Sequence, residues 1–320
     1  MYQTVDDLFQ AAKVKLEDLY PGIICSLEVV SKNNDVKLNS LQARMPEQNV
    51  VPTIYLDSYV DEINYGGLSM TEAVEDVIKE YTLRLGVMLK PEINRETAKE
   101  NLFCTVVSKE KNAEMLQRGV PYRNVPGTDL VTVMRFRCDI GNGVYGSFLV
   151  KEDTLGMMSL TSDEAFNIAY KTTLEEDMRI QSMADVLLGL DDMPEEIKNE
   201  INTEELIPMY VVTNSNALNG AVQAFIGKER LEAIQEKIGT ETFYIIPSSI
   251  HEVLCVPGDM DYETLTEMVQ EVNATMVRPD EILSDNVYFC NEHLQLSIPG
   301  MTVDEKLQTV SERLSAGIHI

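Results

Sequence analysis

Short apolar runs that come in neighbouring pairs constrain this chain more than any other feature. Ile23–Val30 and Val36–Arg44 flank the polar turn Lys32-Asn33-Asn34-Asp35. Leu130–Cys138 and Val144–Val150 flank Gly141-Asn142-Gly143, and Thr242–Ile246 and Glu252–Val256 flank a bend at Pro247-Ser248-Ser249. Connections this short join antiparallel neighbours, because a parallel crossover needs about a dozen residues or more. Met209–Thr213 is a further strand, expected in the same sheet as the last pair. Asn49–Leu56 is another, and its Pro52 places it at an edge, since proline has no N–H for a central ladder. Asn286–Cys290 and Leu294–Ile298 read as the last two strands.

Stretches with helical spacing separate these pairs. Thr4 and Asp7 form a capping start, followed by Val5, Leu8, Phe9, Ala12 and Leu16 on one face. Ser69/Glu72 and Thr161/Glu164 make two further capping boxes. Ile180–Leu188 reads as helical, as does the stripe Leu218, Ala221, Val222 and Phe225. Gly239 is placed as the glycine just past a helix end, and Asp261 as the N-cap of the next helix. Paired strands with helices between them predict an α+β fold of mostly antiparallel sheets, the helices packed between the sheets and on one face, in two subdomains. The expected division is an N-terminal subdomain over 1–190, an acidic linker over 191–206, a C-terminal subdomain over 207–300 and a tail helix over 301–320.

Charge excludes some functions. The 53 acidic residues against 26 basic ones leave a net charge of −27, which repels nucleic-acid phosphates and anionic lipid. Eleven acids lie between Glu175 and Glu205, against Arg179 and Lys198, so Asp191–Glu205 is expected to be exposed. No apolar run approaches the roughly 20 residues of a bilayer span, and the acid-containing N-terminus is unlike a signal peptide. The five cysteines, Cys25, Cys104, Cys138, Cys255 and Cys290, form no CxxC pair, which fits a reducing cytoplasm and removes both zinc-knuckle and redox motifs.

The polar cluster that could carry chemistry lies between Pro208 and Asp259: Asn214, Asn216, Asn219, Ser248, Ser249, His251 and Glu252. No catalytic motif is complete there. His251-Glu252 lacks the second histidine of H-E-x-x-H, and His293 and His319 lie far along the chain, so no metal site is expected. Cys255 on the face of His251 would stand about 13 Å away at a roughly 3.3 Å rise per residue, beyond proton-transfer reach. No G-x-S-x-G elbow is present, and neither Gly-rich phosphate loop occurs, so no cofactor is expected. The simplest role for His251 is structural, its ring satisfying a backbone group at the bend. The Asn214-Ser215-Asn216 turn can satisfy the backbone after a strand, or expose amides to a small anion.

Four phrases resemble those of a known family: NSLQAR with VPTIYLDSYVDEI (Asn39–Ile63), VVTNSNALNGAVQAF (Val211–Phe225), FYIIPSSIHEVLCVP (Phe243–Pro257) and EVNATMVRPDEILSDNVYFC (Glu271–Cys290). They are similar to domain-of-unknown-function family 5688, found mainly in gut Firmicutes, over about residues 1–295. The resemblance implies a cytoplasmic bacterial setting and assigns no activity. From the residues, the leading function is a non-enzymatic protein-binding or regulatory module. The alternatives are a small-molecule enzyme or ligand-binding protein with a pocket near His251, and an acidic decoy for a DNA-binding protein.

Overall fold

The computed structural model describes residues 2–46, 53–85, 92–139, 145–188 and 208–300. The Gly141–Gly143 turn, the acidic segment Asp191–Glu205 and the tail from Thr302 lie outside the described residues. Three antiparallel sheets and ten α-helices among the described residues give an α+β architecture, as the strand pairing predicts.

The first part of the chain packs helices on a three-stranded sheet. Helix α1 (Val5–Leu19) starts at Thr4, whose hydroxyl accepts from the Asp7 N–H while the Asp7 carboxylate accepts from the Thr4 N–H. Its Leu8, Phe9, Ala12 and Leu16 are buried, the face that the spacing predicts. Strands β1 (Ile24–Ser31) and β2 (Lys37–Arg44) pair in full register from Ile24↔Arg44 to Ser31↔Lys37. Strand β3 (Thr53–Tyr55) takes the expected edge beside β2. Helices α2 (Asp57–Tyr65) and α3 (Met70–Leu85) complete a core centred on Leu16, Leu41, Ile54, Leu56, Val77 and Tyr81.

The β1–β2 turn does more than reverse the chain. Asn34 and Asp35 adopt left-handed φ of 60° and 52°, which points their side chains away from their own hairpin. The Asn34 amide donates to the carbonyls of Pro279 and Ile282 at 2.8 and 2.7 Å. The Asp35 carboxylate accepts from the Glu114 and Met115 N–H groups, so a residue from a distant strand turn caps the short helix α5 (Ala113–Gln117).

The rest of the structure is two facing sheets. In the four-stranded sheet β6 (Leu130–Asp139) is central, with β4 (Leu102–Ser108) on one side and β5 (Tyr122–Asn124) and β7 (Tyr145–Leu149) along the other. Strand β4 is buried at every position and reads as LFCTVVS, apolar but for Thr105 and Ser108. The six-stranded sheet contains β8 (Met178–Ser182), β9 (Tyr210–Asn214), β10 (Phe243–Ile246), β11 (Val253–Pro257), β12 (Tyr288–Cys290) and β13 (Leu296–Ser297), in the order β13-β12-β10-β11-β9-β8. The expected hairpin is present, with Phe243↔Pro257 through Ile246↔Leu254, and β9 joins it at Val253↔Val212.

One core fills the space between these sheets, with Leu102, Met134 and Phe136 from one and Val212, Phe243, Ile245 and Tyr288 from the other. Helices α4 (Arg95–Asn101), α6 (Glu152–Met158) and α7 (Ser162–Glu175) supply Ala98, Leu155, Phe166 and Ala169 to it. Helix α7 begins at its capping box, where the Thr161 N–H and hydroxyl and the Arg95 guanidinium hold the Glu164 carboxyl down at about 2. Helices α8 (Met183–Leu188), α9 (Lys228–Ile238) and α10 (Tyr262–Thr275) follow. Helix α9 ends at Gly239 with φ 78°, and Asp261 caps α10 through the Thr264 N–H, both as the residue types predict. Leu265 and Val269 of α10 cover the outer face of the six-stranded sheet, against Tyr244, Ile246 and Val256.

Two elements correct the sequence expectation. Met178–Ser182 is an edge strand and only Met183–Leu188 is helical, although the apolar spacing of Ile180–Leu188 suggests one helix. Five backbone pairings with β9, from Met178↔Asn214 to Ser182↔Tyr210, outweigh a local helical preference. The Leu218–Phe225 stripe is a 3₁₀ turn over Gly220–Ala224, fixed by the close packing of Gly220 against neighbouring backbone.

Candidate functional site

Asn214, Asn219, Ser249 and His251 meet in one hydrogen-bonded knot where β9 and β11 adjoin. Asn214, buried at the end of β9, clasps the following loop: its Oδ1 accepts from the Leu218 N–H at 3.2 Å and its Nδ2 donates to the Leu218 carbonyl at 3.0 Å. The same Nδ2 lies 3.3 Å from the Glu176 carboxylate, which also holds Arg137 at 2.6 Å. Ala217 and Asn219 take left-handed φ of 48° and 55°, turning the Asn219 N–H onto the His251 ring, where Nδ1 accepts it at 3.1 Å. The His251 N–H donates to Ser249 Oγ at 3.0 Å, and the His251 carbonyl accepts from the Thr213 hydroxyl at 2.8 Å. Nε2 faces the Glu281 carboxylate at 3.8 Å.

This wiring determines what the knot can do. A general base needs a free lone pair aimed at the proton it removes. Nδ1 is occupied by a main-chain amide, and Ser249 Oγ is bonded to the His251 backbone instead of its ring. Asn216 is exposed, and the side chains of Ser248 and Glu252 add no hydrogen bond to the knot among the described residues. His251→Ala is therefore expected to cost about 1 kcal/mol, the penalty for leaving the half-buried Asn219 amide without its acceptor. A denaturant melt checks this; an unmoved midpoint would remove the structural role of the ring.

A cleft of about 690 Å³ opens elsewhere, between the edge strand β5 and the β12–β13 end of the six-stranded sheet. Phe166 and Tyr170 of α7, Phe225, and Leu231 of α9 provide its apolar surface. The Val125–Thr128 turn forms one wall, so closely seated that Gly127 packs its backbone directly on Leu296 and Ser297. The opposite wall is the tight β12–β13 connection. There the Asn291 Oδ1 accepts from the His293 and Gln295 N–H groups at 3.0 and 2.9 Å, and Leu294 is held at a φ of 61°. A branched residue in that conformation carries strain, offset here by packing of the Leu294 side chain on the core.

The formal charges of the cleft lining, on Arg123 and Lys228, are both positive. Arg123, Lys228 and His293 line it, and none of its lining residues is an aspartate or a glutamate. Arg123 lays its guanidinium 4.6 Å from the centroid of the Phe166 ring and donates to Asp163 at 2.8 Å. Lys228 lies 3.9 Å from Glu232, and His293 lies 3.7 Å from Glu292. The cleft draws on the β5 region, β6, α7, the start of α9 and the β12–β13 turn, which are far apart in sequence. Arg123 sits in the three-residue edge strand β5, between Pro121 and the Val125–Thr128 turn, so no local pattern in the sequence marks it.

Other reactive side chains are quiet. Desolvation pushes the buried thiols of Cys104 and Cys290 up to about 12, and that of Cys255 higher still. At such values the thiolate nucleophile is absent near neutral pH. Among the described residues no group of three or more His, Cys, Asp or Glu is placed to hold a metal ion.

The family of unknown function DUF5688 matches residues 6–291. The chain belongs to the DUF5688 family. Both the His251 knot and the cleft lie almost wholly inside the matched span, the β12–β13 turn extending just past its end. The resemblance of the four phrases is thereby borne out. No curated protein and no solved structure matches this DUF5688 chain. Among the described residues no helix is long and apolar enough to cross a membrane.

Proposed function

We propose that this DUF5688 protein is a non-enzymatic binding module of the bacterial cytoplasm, and that its recognition surface is the β5–β13 cleft instead of the His251 turn. The observation that carries this reading is the contrast between the two sites. At the His251 turn Asn214, the Asn219 N–H, Ser249 Oγ and the His251 Nδ1 are bonded to one another or to the adjoining backbone, so the imidazole and its nearest neighbours offer a ligand little. In the cleft, the exposed Tyr170 and the partly exposed Phe225, Leu294 and Leu296 stand beside the exposed side chains of Arg123, Lys228 and His293. Concave, mostly apolar surface with a few convergent polar groups is the usual form of a ligand site. The five unpaired cysteines support a reducing compartment.

The test uses the whole chain and the small-molecule extract of a bacterial cell. Protein is equilibrated with extract and separated by ultrafiltration, and retained solutes are identified by mass spectrometry. Asn124→Trp, which places an indole at the cleft mouth, is run in parallel. A solute held by the parent and released by Asn124→Trp is the expected result. Identical retained sets for the two proteins, with matched melting curves, would remove the cleft as the recognition surface.

A further inference from the structure

We infer that the ligand of this cleft is a small organic anion: one compact carboxylate, sulfonate or phosphate group on an apolar, ring-sized body. The inference rests on the binding reading above and adds the chemistry of the ligand.

Charge distribution carries it. Acidic residues outnumber basic ones by 53 to 26 over the chain, yet the cleft lining contains no acid and includes Arg123, Lys228 and His293. Three separate elements deliver these groups: the edge strand β5, the first residue of α9 and the β12–β13 turn. Lys228 is the first residue of an eleven-residue helix whose first turn also carries Glu229, with its carboxylate beside Gly227 and Tyr170 at the cleft edge.

Each basic group already leans on a carboxylate outside the lining, namely Asp163, Glu232 or Glu292. These pairs are exposed; the Asp163 side chain is 89% accessible and that of Lys228 is 65%. Exposed pairs hold with little net energy, so a ligand anion can replace the carboxylates at small cost. The apolar side is equally defined. Arg123 stacks on Phe166 at the cleft, and the partly exposed Phe225 and Leu294 offer apolar surface to a hydrocarbon body.

Size and field select among anions. About 690 Å³ lies within the range of small-molecule sites. A nucleic acid or acidic polypeptide long enough to leave the cleft would run onto a surface with a net charge of −27. A compact single charge avoids that repulsion.

Two fluorescent probes with the same kind of aromatic body separate the components. 1-Anilinonaphthalene-8-sulfonate carries the anion, and N-phenyl-1-naphthylamine is neutral. Both are titrated into the full chain at physiological salt, where long-range repulsion is screened. Inorganic phosphate serves as a competitor, to tell a headgroup-only site from one that also needs the body. The parent is expected to bind the sulfonate saturably, and Arg123→Gln combined with Lys228→Gln to weaken it by about tenfold or more through loss of two charge-assisted contacts. The neutral probe should change by no more than about twofold in that variant, because its contacts are apolar. Asn124→Trp should exclude both probes, and phosphate should compete only weakly. If both probes bind and the double variant holds the sulfonate as tightly as the parent does, the anion assignment fails while the cleft reading stands. Full displacement by phosphate overturns the part of the inference that concerns the body. If neither probe binds the parent, or Asn124→Trp leaves both unaffected, the cleft reading falls as well. Matched melting curves for all variants confirm that folding is not the cause.

Discussion

Gly127→Ala should lower the melting temperature by roughly 10 °C, equivalent to a loss of about 3–5 kcal/mol for a chain of this size. Two costs add. Gly127 has a φ of +79°, where an L side chain is disfavoured by about 1–2 kcal/mol. A Cβ would also lie 1.8 Å from the Leu296 carbonyl oxygen, 2.6 Å from its carbon and 3.3 Å from the Ser297 nitrogen. All three atoms are backbone, so no rotamer change relieves the contact. Relief requires moving β13 from β12 or opening the Val125–Thr128 turn. That turn is held by the Val125 N–H to the Leu130 carbonyl, and by the Thr128 hydroxyl to the Val125 carbonyl at 2.9 Å. Gly66→Ala is the control: its φ of +83° carries the conformational cost, but nothing lies within 4 Å of a Cβ there. Thermal unfolding of both variants separates contact from conformation. A Gly127→Ala shift no larger than that of Gly66→Ala would mean that β13 yields freely and the cleft wall is not rigid. If the wall does move, affinity for the anionic naphthyl probe should fall together with stability.

Gly220→Ala is expected to cost about 2–4 kcal/mol, more than His251→Ala in the same knot. Gly220 does not need a left-handed conformation; it needs space. A Cβ would lie 2.3 Å from Thr213 Oγ1, 2.6 Å from the Asn214 nitrogen and 2.7 Å from the His251 carbonyl oxygen. It would wedge apart the Thr213–His251 hydrogen bond and push the 3₁₀ turn away from the end of β9. Losing the imidazole removes one acceptor, whereas adding a methyl group displaces two backbone segments. Denaturant midpoints for the two variants give the comparison directly. The reverse order, with His251→Ala more damaging, would show that the ring contributes more than its bond to Asn219. That outcome would reopen the knot as a functional centre.

In this DUF5688 chain the two sites differ in how their residues come together, and this explains why one is legible in the sequence. Asn214, Asn219 and His251 occupy two neighbouring phrases, and the paired strands between them make their approach foreseeable. Their mutual bonding was not foreseeable, because it depends on the left-handed turns at Ala217 and Asn219. Arg123, Lys228 and His293 are spread over 171 positions, and ordinary loop or helix residues surround each.

What the sequence by itself determined is the local structure. Thr4/Asp7 and Thr161/Glu164 start helices because a cap and its amides lie within one turn of each other. The β1–β2 and β10–β11 hairpins form because alternating apolar runs meet across short connections. These interactions span few residues and need no distant partner. Tertiary structure decided the rest. Met178–Ser182 became a strand because an unpaired edge of β9 was available to it, which no window around Ile180 can reveal. Asp35 caps α5 across nearly 80 positions, and β13 reaches the turn at Gly127 only after two sheets have packed face to face. The cleft exists because that packing leaves β5 and β13 as neighbouring edges with no strand between them. Its character is a property of assembled surfaces, and surfaces are settled by burial of the whole core instead of by any segment's own preference.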